Sequence, residues 1–308
     1  MNILIAGASG FIGRALVARL QSDHVLTVLG RDIRALERHF PPAVNKTTWD
    51  KLSGLNASTY EVIINLCGTN ISASRWNTEV KQQIIESRVK TTGLLIDWVI
   101  QYGAQPHFIS ANAIGIYGPQ DSNDPSSFDE NSPIDFEHAP DFLSEVGIQW
   151  QKALQPAIDF GMPVTIGRFG VVIGKEDGML KKLWPSFYFG AGSIIGDGKQ
   201  VLSWIQRDDL VAALKFLLDN PELTGVFNLT SPNPVSQAEF ANTLAAVMHR
   251  PRFLKMPTFV VRLLFGEMGE CLLLKGQRVV PTRLLNAGFK FRHAGLKDAL
   301  EHEIKSPS

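Results

Sequence analysis

The chain has 308 residues, with 30 lysines and arginines against 30 aspartates and glutamates, so its formal net charge is zero. Balanced charge argues against partners held by bulk charge, and we therefore expect neither a nucleic-acid nor a membrane partner. The content of 44% hydrophobic and 19% charged residues is typical of a globular protein with a sizeable core.

Other features of composition bear on metals and location. The two cysteines, Cys67 and Cys271, are far apart, and the seven histidines show no H-x-x-x-H spacing. We therefore expect reduced thiols, no disulfide and no metal site. No apolar run reaches the roughly 18 residues of a membrane span, and no basic and apolar leader precedes the first predicted strand. The predicted location is cytoplasmic, with an organelle interior as the alternative.

The first thirteen residues predict a strand, a glycine turn and a helix. The apolar run of residues 1–6 leads into Gly7, Gly10 and Gly13, and apolar residues then recur at helical spacing. Gly7 allows a sharp turn, Gly10 lets a pyrophosphate approach the backbone, and Gly13 lets the helix pack closely on the sheet. The helix N-terminus presents free N–H groups to the anion. The alternative is an ordinary glycine-rich turn. The turn residues predicted to bind a cofactor are Gly7, Ser9, Gly10, Phe11, Ile12 and Gly13.

Strands and helices then alternate along the chain. Strands are predicted at 25–29, near 47–49, at 62–66, 107–110, 164–168 and 226–229, and helices at 79–102, 142–160 and 208–219. Near-continuous apolar strands alternating with helices indicate parallel βαβ units. The predicted fold class is α/β, with a Rossmann-like doubly wound parallel sheet and a smaller, mainly helical lobe on the substrate side.

The alternation breaks down after residue 168, which suggests where a second unit begins. Residues 119–140 read as a loop rich in Asp, Ser, Pro and Asn, and 174–203 are rich in glycine and aromatics. We expect a NAD(P)-binding Rossmann domain over 1–235, carrying a lobe insertion at about 174–203. Residues 236–308 are expected to form the C-terminal substrate-side lobe.

The end of the second predicted strand bears on which nucleotide is bound. It reads Gly30-Arg31-Asp32. A guanidinium at Arg31 matches a 2′-phosphate, whereas the carboxylate of Asp32 would favour a ribose hydroxyl. Arg31 lies nearer the strand end, so NADP(H) is the preferred prediction and NAD(H) stays possible. The alternative for Arg31 is a solvated loop arginine.

The glycine spacing G-x-x-G-x-x-G resembles that of extended, epimerase-like short-chain dehydrogenase/reductases. The resemblance implies further cofactor residues. Asp50 would meet the adenine amine, although a helix N-cap is an equal alternative. Leu66, Cys67 and Gly68 would form the turn beneath the ribose, with Cys67 as a small hydrophobe. Arg88, where this family has an asparagine, would contact the cofactor or an acidic substrate, or else be a surface arginine.

The catalytic pair of that superfamily is missing. It is a Tyr-x-x-x-Lys on one helix face, in which the lysine lowers the pKa of the tyrosine. None of the four tyrosines has a lysine four positions later, and residues 141–150 are largely apolar. Weak candidates for a proton donor are Ser110, Asn112, Tyr117 and Glu145. Ser110 is also a candidate cofactor contact, and core packing is the better interpretation of Tyr117.

Several segments of the chain resemble those of one atypical subgroup, the "epimerase family" proteins, which would account for these departures. The shared segments are Arg75-Trp76, Ser87-Arg88, 142–146 with Trp150, 196–200 followed by 203–205, 266–267, 276–281 and 288–289. The subgroup implies NADP(H) binding without a known substrate. Arg168 and Val172 complete the predicted cofactor set, and Arg88 or Arg168 would favour an anionic ligand.

Two functions from different classes follow. The first is an NADP(H)-dependent oxidoreductase or epimerase-like enzyme with an unknown small-molecule substrate. The second is a non-catalytic NADP(H)-binding redox sensor or regulatory protein. Whether the chain is a monomer or a homodimer is left open by the sequence.

Overall fold

A computed structural model describes residues 1–305, and its strands run as follows. They are β1 (Asn2–Ala6), β2 (Val25–Gly30), β3 (Asn45–Thr48), β4 (Val62–Asn65), β5 (His107–Ala113), β6 (Val164–Phe169), β7 (Val171–Ile173), β8 (Ser193–Ile195), β9 (Val201–Leu202), β10 (Trp204–Gln206), β11 (Gly225–Leu229), β12 (Val235–Ser236) and β13 (Leu254–Met256).

The helices lie between these strands. They are α1 (Phe11–Leu20), α2 (Ile33–His39), α3 (Thr78–Gln101), α4 (Phe142–Lys152), α5 (Gln155–Asp159), α6 (Gly178–Tyr188), α7 (Arg207–Asp219), α8 (Gln237–Val247), α9 (Thr258–Gly269), α10 (Thr282–Asn286) and α11 (Leu296–Lys305). Short 3₁₀ turns cover Trp49–Gly54, Ala57–Thr59 and Ile114–Tyr117, and a π turn covers Glu270–Leu274. Over residues 1–305, no helix combines the length and the apolar character needed to cross a membrane.

Seven strands form one parallel sheet in the order β11-β6-β5-β4-β1-β2-β3. The chain runs outward from β1 to β3, then returns to β4 on the other side of β1. This reversal is the switch point at which open α/β sheets bind ligands, beyond the carboxyl ends of the strands. The predicted doubly wound α/β fold is confirmed.

Both faces of this sheet are buried, which explains the continuous apolar strands. Ile3 and Ile5 of β1 pack on one face with α1 and α7, whereas Leu4 and Ala6 pack on the other face with α3. Because side chains alternate across a strand, helices on both sides require apolar residues at every position.

The predicted single helix over 142–160 is wrong in one respect. The segment forms two helices, α4 and α5, separated at residues 153–154. Pro156 is the cause, because it has no N–H for a continuing helix and is accommodated in the first turn of α5. The third strand lies at Asn45–Thr48, so Trp49, placed in it by the prediction, already belongs to a 3₁₀ turn.

A second, smaller core joins the 174–203 segment to the C-terminal part of the chain. Buried residues of α6, α8 and α11 pack together there, among them Leu180, Phe240 and Leu300. The buried carboxylate of Glu303 on α11 accepts hydrogen bonds from Gln206 Nε2 at 2.7 Å and from Lys175 N at 2.9 Å. The boundary at residues 235 and 236 stays a prediction.

Candidate functional site

The glycine loop after β1 leaves no room for side chains on its inner side. Gly7 has φ +78°, and a Cβ there would lie 2.7 Å from the carbonyl group of Leu66. A Cβ at Gly13 would lie 2.5 Å from the carbonyl oxygens of Gly7 and Ala8. The loop is therefore closely packed against β4 and against the first turn of α1, a contact that only glycine permits.

The outer side of the loop is open. Gly10 is exposed, and a Cβ there would meet only the carbonyl oxygen of Gly7, at 3.2 Å. Gly10 is also the N-cap of α1, and no side-chain cap is present. The first-turn N–H groups of α1 therefore have no intrahelical partner and lie at the positive end of the helix dipole. This arrangement fits a pyrophosphate.

The other predicted cofactor residues around the loop are held in place by packing and hydrogen bonds. The Ser9 carbonyl accepts a hydrogen bond from Arg14 Nη1 at 3.0 Å, which fixes the loop to α1. The ring of Phe11 packs tightly on Gly174 and lies 5.4 Å from the Arg207 guanidinium carbon. Ile12 and Val172, two other predicted cofactor residues, pack against the α1 side of the main core.

Arg31 and Asp32 have different surroundings at the end of β2. Asp32 is the N-cap of α2, and its carboxylate accepts the Arg34 N–H at 2.9 Å. Arg31 is exposed, and its charge acts on the thiol of Cys67 at the end of β4. Gly30, directly before Arg31, is covered by the Leu36 side chain. The carboxylate is therefore occupied in a cap, while the guanidinium is exposed and near enough to Cys67 for its charge to act on that thiol.

The turn after β4 is built from backbone contacts. Leu66 N donates to the Ala6 carbonyl at 2.9 Å, and Cys67 N donates to Asn65 Oδ1 at 3.1 Å. Burial raises the pKa of the Cys67 thiol to about 12, although the Arg31 charge acts in the opposite direction. Cys67 is thus a small buried hydrophobe, as predicted, and not a thiolate.

Asp50 lies after β3 in the first turn of the 3₁₀ helix Trp49–Gly54. The N-cap of that turn is Thr48, so the alternative of a capping role for Asp50 does not hold. A hydrogen bond from the Thr48 side chain holds the pKa of the exposed Asp50 carboxyl below its usual value. The group is ionised at neutral pH and open to a ligand.

Arg88 extends from α3 toward the turn after β4. Its guanidinium donates to the carbonyl oxygens of Ile84 at 2.8 Å and Thr69 at 3.1 Å, and it lies 5.1 Å from the ring centre of Trp150. A Cβ at Gly68 would lie 2.9 Å from the guanidinium carbon. Burial lowers the pKa of Arg88 to about 10. Arg88 is thus not a free surface arginine, and its partners are neutral.

The position of the superfamily's catalytic pair is filled by close packing. Depending on the register, either Leu143 and Gly147 or Phe142 and Val146 of α4 stand where tyrosine and lysine would be. A Cβ at Gly147 would lie 2.7 Å from Cβ of Ile116, and a Cβ at Gly115 would lie 3.1 Å from Cβ of Leu143. The Gly147 carbonyl also accepts a hydrogen bond from Asn112 Nδ2 at 3.1 Å.

The four candidate proton donors are not brought together. Ser110 is fully buried and donates to the Ala111 carbonyl, and Asn112 is buried between α4 and its own strand. Glu145 is exposed on α4 and accepts a hydrogen bond from Gln149 at 3.0 Å. Ser110 and Asn112 thus have backbone partners on β5 and α4, whereas Glu145 keeps an exposed carboxylate on α4.

Tyr117 belongs to a buried network with Arg168. Arg168 Nη1 donates to Tyr117 Oη at 2.8 Å, and Nη2 donates to Gln151 Oε1 at 2.8 Å. Tyr117 Oη also lies 2.9 Å from Asn228 Oδ1. Burial raises the pKa of Tyr117, although the charge of Arg168 opposes this. A phenol held in its neutral form is a poor base at neutral pH.

Three polar partners of this network were not predicted from the sequence. They are Glu130, which accepts the Asn228 N–H at 2.9 Å, together with Asn228 and Gln151. An arginine inside an apolar strand signalled that buried partners must exist. Nothing in the sequence indicated that they come from a distant loop, β11 and α4.

The parallel sheet, the switch point and the open glycine loop define a dinucleotide-binding α/β protein. The model of the NAD dependent epimerase/dehydratase family matches residues 3–230, and the chain belongs to that family. A domain of unknown function, DUF1731, matches residues 256–303. The family predicted from the glycine spacing and the C-terminal motifs is confirmed.

Relatives cover the chain almost completely. An epimerase family protein of Mycobacterium leprae is 37% identical over 99% of this chain and 96% of its own length. The chloroplastic SDR39U1 homolog of Arabidopsis thaliana is 38% identical over 97% of this chain and 86% of its own. The crystal structure of human epimerase family protein SDR39U1 with NADPH is 30% identical, has a TM-score of 0.86, and is matched over 99% of this chain and 100% of that one.

Proposed function

We propose that the protein binds NADP(H) and acts as an oxidoreductase or epimerase-like enzyme on a small-molecule substrate. The observation that carries the cofactor assignment is the open side of the loop at Gly10, beside the uncapped N-terminus of α1. Backbone N–H groups there would hold the pyrophosphate. The NADPH present in the human relative supports the same cofactor. When bound, NADP(H) would supply the hydride.

The preference for NADP(H) over NAD(H) is assigned to Arg31. Its guanidinium is exposed beside the cleft, while the competing carboxylate of Asp32 is occupied in capping α2. A 2′-phosphate would gain a charged hydrogen-bond partner, and a 2′-hydroxyl would gain little. Asp50, ionised and exposed after β3, would face the adenine end of the same groove.

Fluorescence titration of the purified protein tests this assignment. Arg31→Ala is expected to weaken NADPH binding by about 1.5–3 kcal/mol, the range for losing a charged hydrogen-bond partner, and to leave NADH binding nearly unchanged. Arg38→Ala removes an exposed arginine from α2 and serves as the matched control. Equal losses for both nucleotides in Arg31→Ala would refute the role of this residue.

A non-catalytic redox sensor is the second candidate, and one observation favours it. Ser110, Asn112 and Tyr117, the candidate proton donors on β5 and the turn after it, are all hydrogen-bonded to other protein groups. An enzyme would then use a bound water or a group on its substrate. A sensor would need no proton donor at all.

Deuteride transfer separates the two candidates. NADPH deuterated at nicotinamide C4 is incubated with a set of small carbonyl compounds, and the products are analysed by mass spectrometry. Deuterium in a product supports the enzyme, and binding without transfer to any carbonyl supports the sensor.

We expect UDP-glucose and UDP-galactose not to interconvert; turnover of about 1 per second or faster would refute this interpretation of the missing pair.

The location and the oligomeric state of the protein are both open to direct tests. We keep the cytoplasmic location as a prediction, although the Arabidopsis relative is named chloroplastic. Size-exclusion chromatography with light scattering would decide between a monomer and a homodimer.

An anionic small ligand is the expected substrate class, because the guanidinium of Arg88 has only neutral hydrogen-bond partners among the described residues.

A further inference from the structure

Two short segments carry a concentration of exposed apolar side chains. Thirteen large hydrophobic residues are exposed among the described residues, and seven of them lie at 188–189 and 253–264. They are Tyr188, Phe189, Phe253, Leu254, Phe259, Leu263 and Leu264. The other six are scattered over the rest of the chain, so exposed apolar side chains are concentrated in these two segments.

The two segments are joined to each other at two places. Arg250 Nε donates to the Tyr188 carbonyl at 2.8 Å, and its guanidinium lies 4.9 Å from the ring centre of the same tyrosine. β13, which begins at Leu254, pairs with β8 directly after α6. Helix α9 follows β13 and presents Phe259 and Leu263 one turn apart on one face.

The charge of this surface differs from that of the whole chain. Residues 240–266 contain no aspartate or glutamate, but they include Arg250, Arg252, Lys255 and Arg262. Arg262 is paired with Glu270 at 2.7 Å, which leaves three basic side chains among the exposed aromatic and leucine residues. The overall net charge of zero therefore conceals a positive stretch of the chain between Glu239 and Glu267.

We propose that this surface, which we call the basic apolar face, binds membranes that carry anionic lipid headgroups. The face consists of the seven exposed apolar residues together with Arg250, Arg252 and Lys255. The phenylalanine rings would enter the boundary between headgroups and acyl chains, and the basic side chains would contact lipid phosphates. The prediction of no membrane partner, made from the overall charge, would then not hold for this surface.

Two observations favour a lipid surface over a protein partner. Phe189 is 81% exposed and Phe253 is 84% exposed, so both rings project outward and do not line a groove that could receive a peptide. A second copy docked by a two-fold axis would bring the same basic residues against each other, because such an interface uses the same patch twice. An anionic bilayer satisfies both the projecting rings and the positive charge.

Vesicle co-sedimentation of the full chain tests the proposal. We expect binding to vesicles of phosphatidylcholine and phosphatidylglycerol at 3:1, and little binding to phosphatidylcholine alone. The double variant Phe253→Ser with Phe259→Ser should lower the partition coefficient at least tenfold. The variant Arg252→Gln with Lys255→Gln should lower it about fivefold for each charge removed, with the loss reduced at high salt.

Leu94→Ser with Ile158→Ser is the matched control, because these residues are 55% and 46% exposed on α3 and α5, away from the face. It should bind vesicles like the wild type, and all variants should keep their melting temperature and their NADPH affinity. Binding that is absent, or equally reduced in the control, would overturn the proposal. So would a dimer in solution that Phe253→Ser with Phe259→Ser dissociates, since a second copy would then occupy the face.

Discussion

The glycine loop after β1 and helix α4 differ in how closely they are packed. At Gly10 the backbone is exposed and the helix end beside it has no cap. Along α4, Gly147 packs so closely on Ile116 that no side chain fits between them. A cofactor cradle needs empty space and backbone donors, whereas acid–base catalysis needs polar side chains. This chain keeps the empty space and the backbone donors at the glycine loop. Apolar packing takes the place of the catalytic side chains on α4.

The largest effect is expected from a substitution in the open glycine loop. Gly10→Val should weaken NADPH binding at least 100-fold, because the new side chain would occupy the space proposed for the pyrophosphate. The fold should be kept, since a Cβ at Gly10 meets only one atom, at 3.2 Å. Titration and thermal melting are the measurements.

Gly54→Val is the control for that experiment, because nothing lies within 4 Å of a Cβ at Gly54. It should bind NADPH like the wild type. Undiminished NADPH binding by a well-folded Gly10→Val would show that the phosphate loop lies elsewhere.

In the register that places the lysine position at Gly147, a lysine there should harm the fold. Gly147→Lys is expected to cost about 1–3 kcal/mol in the free energy of unfolding, the range for overpacking a core, because its Cβ would meet Ile116 at 2.7 Å. Urea denaturation measures the loss. Gly93→Lys on α3, where a Cβ meets nothing within 4 Å, should instead be neutral or slightly stabilising. Equal stability of Gly147→Lys and wild type would mean that packing does not exclude the pair.

A smaller effect concerns the remaining phenol. Burial raises the pKa of Tyr117 above its ordinary value of 10.0, so the neutral form is favoured in the folded protein. The stabilisation linked to this neutral form is fully present below pH 10 and is lost as the pH rises through the folded-state pKa. The difference in phenolate absorbance between the wild type and Tyr117→Phe should therefore develop only in alkaline solution. A phenolate forming near neutral pH would make Tyr117 a candidate base after all.

Local patterns were sufficient to predict the sheet and the glycine turn. Apolar runs, helical spacing and glycine positions act over a few residues, and each strand of the main sheet was predicted close to its observed bounds. The balance between Arg31 and Asp32 was left open, because the sequence does not show that the carboxylate caps α2. The proposed cofactor contacts stay predictions.

Contacts between residues that are far apart in the sequence could not be predicted. The partners of Arg168 come from α4 and from Tyr117, and Asn228 joins them from a strand 60 residues later in the numbering. The tight fit of Gly147 on Ile116 depends on how α4 docks on the turn after β5. Such fits depend on tertiary packing, which composition and spacing do not encode locally.

The buried carboxylate of Glu303 has a consequence for how this chain can be divided. It lies on the last helix, inside the region that matches DUF1731, and yet its hydrogen-bond donors, Gln206 and Lys175, belong to the epimerase-matched region. A chain that ended near residue 235 would leave a buried amide and a backbone N–H without their acceptor, and it would expose the apolar sides of α6. The two regions therefore share one buried polar site, and a truncated chain would have to leave its donors unpaired or expose them to water.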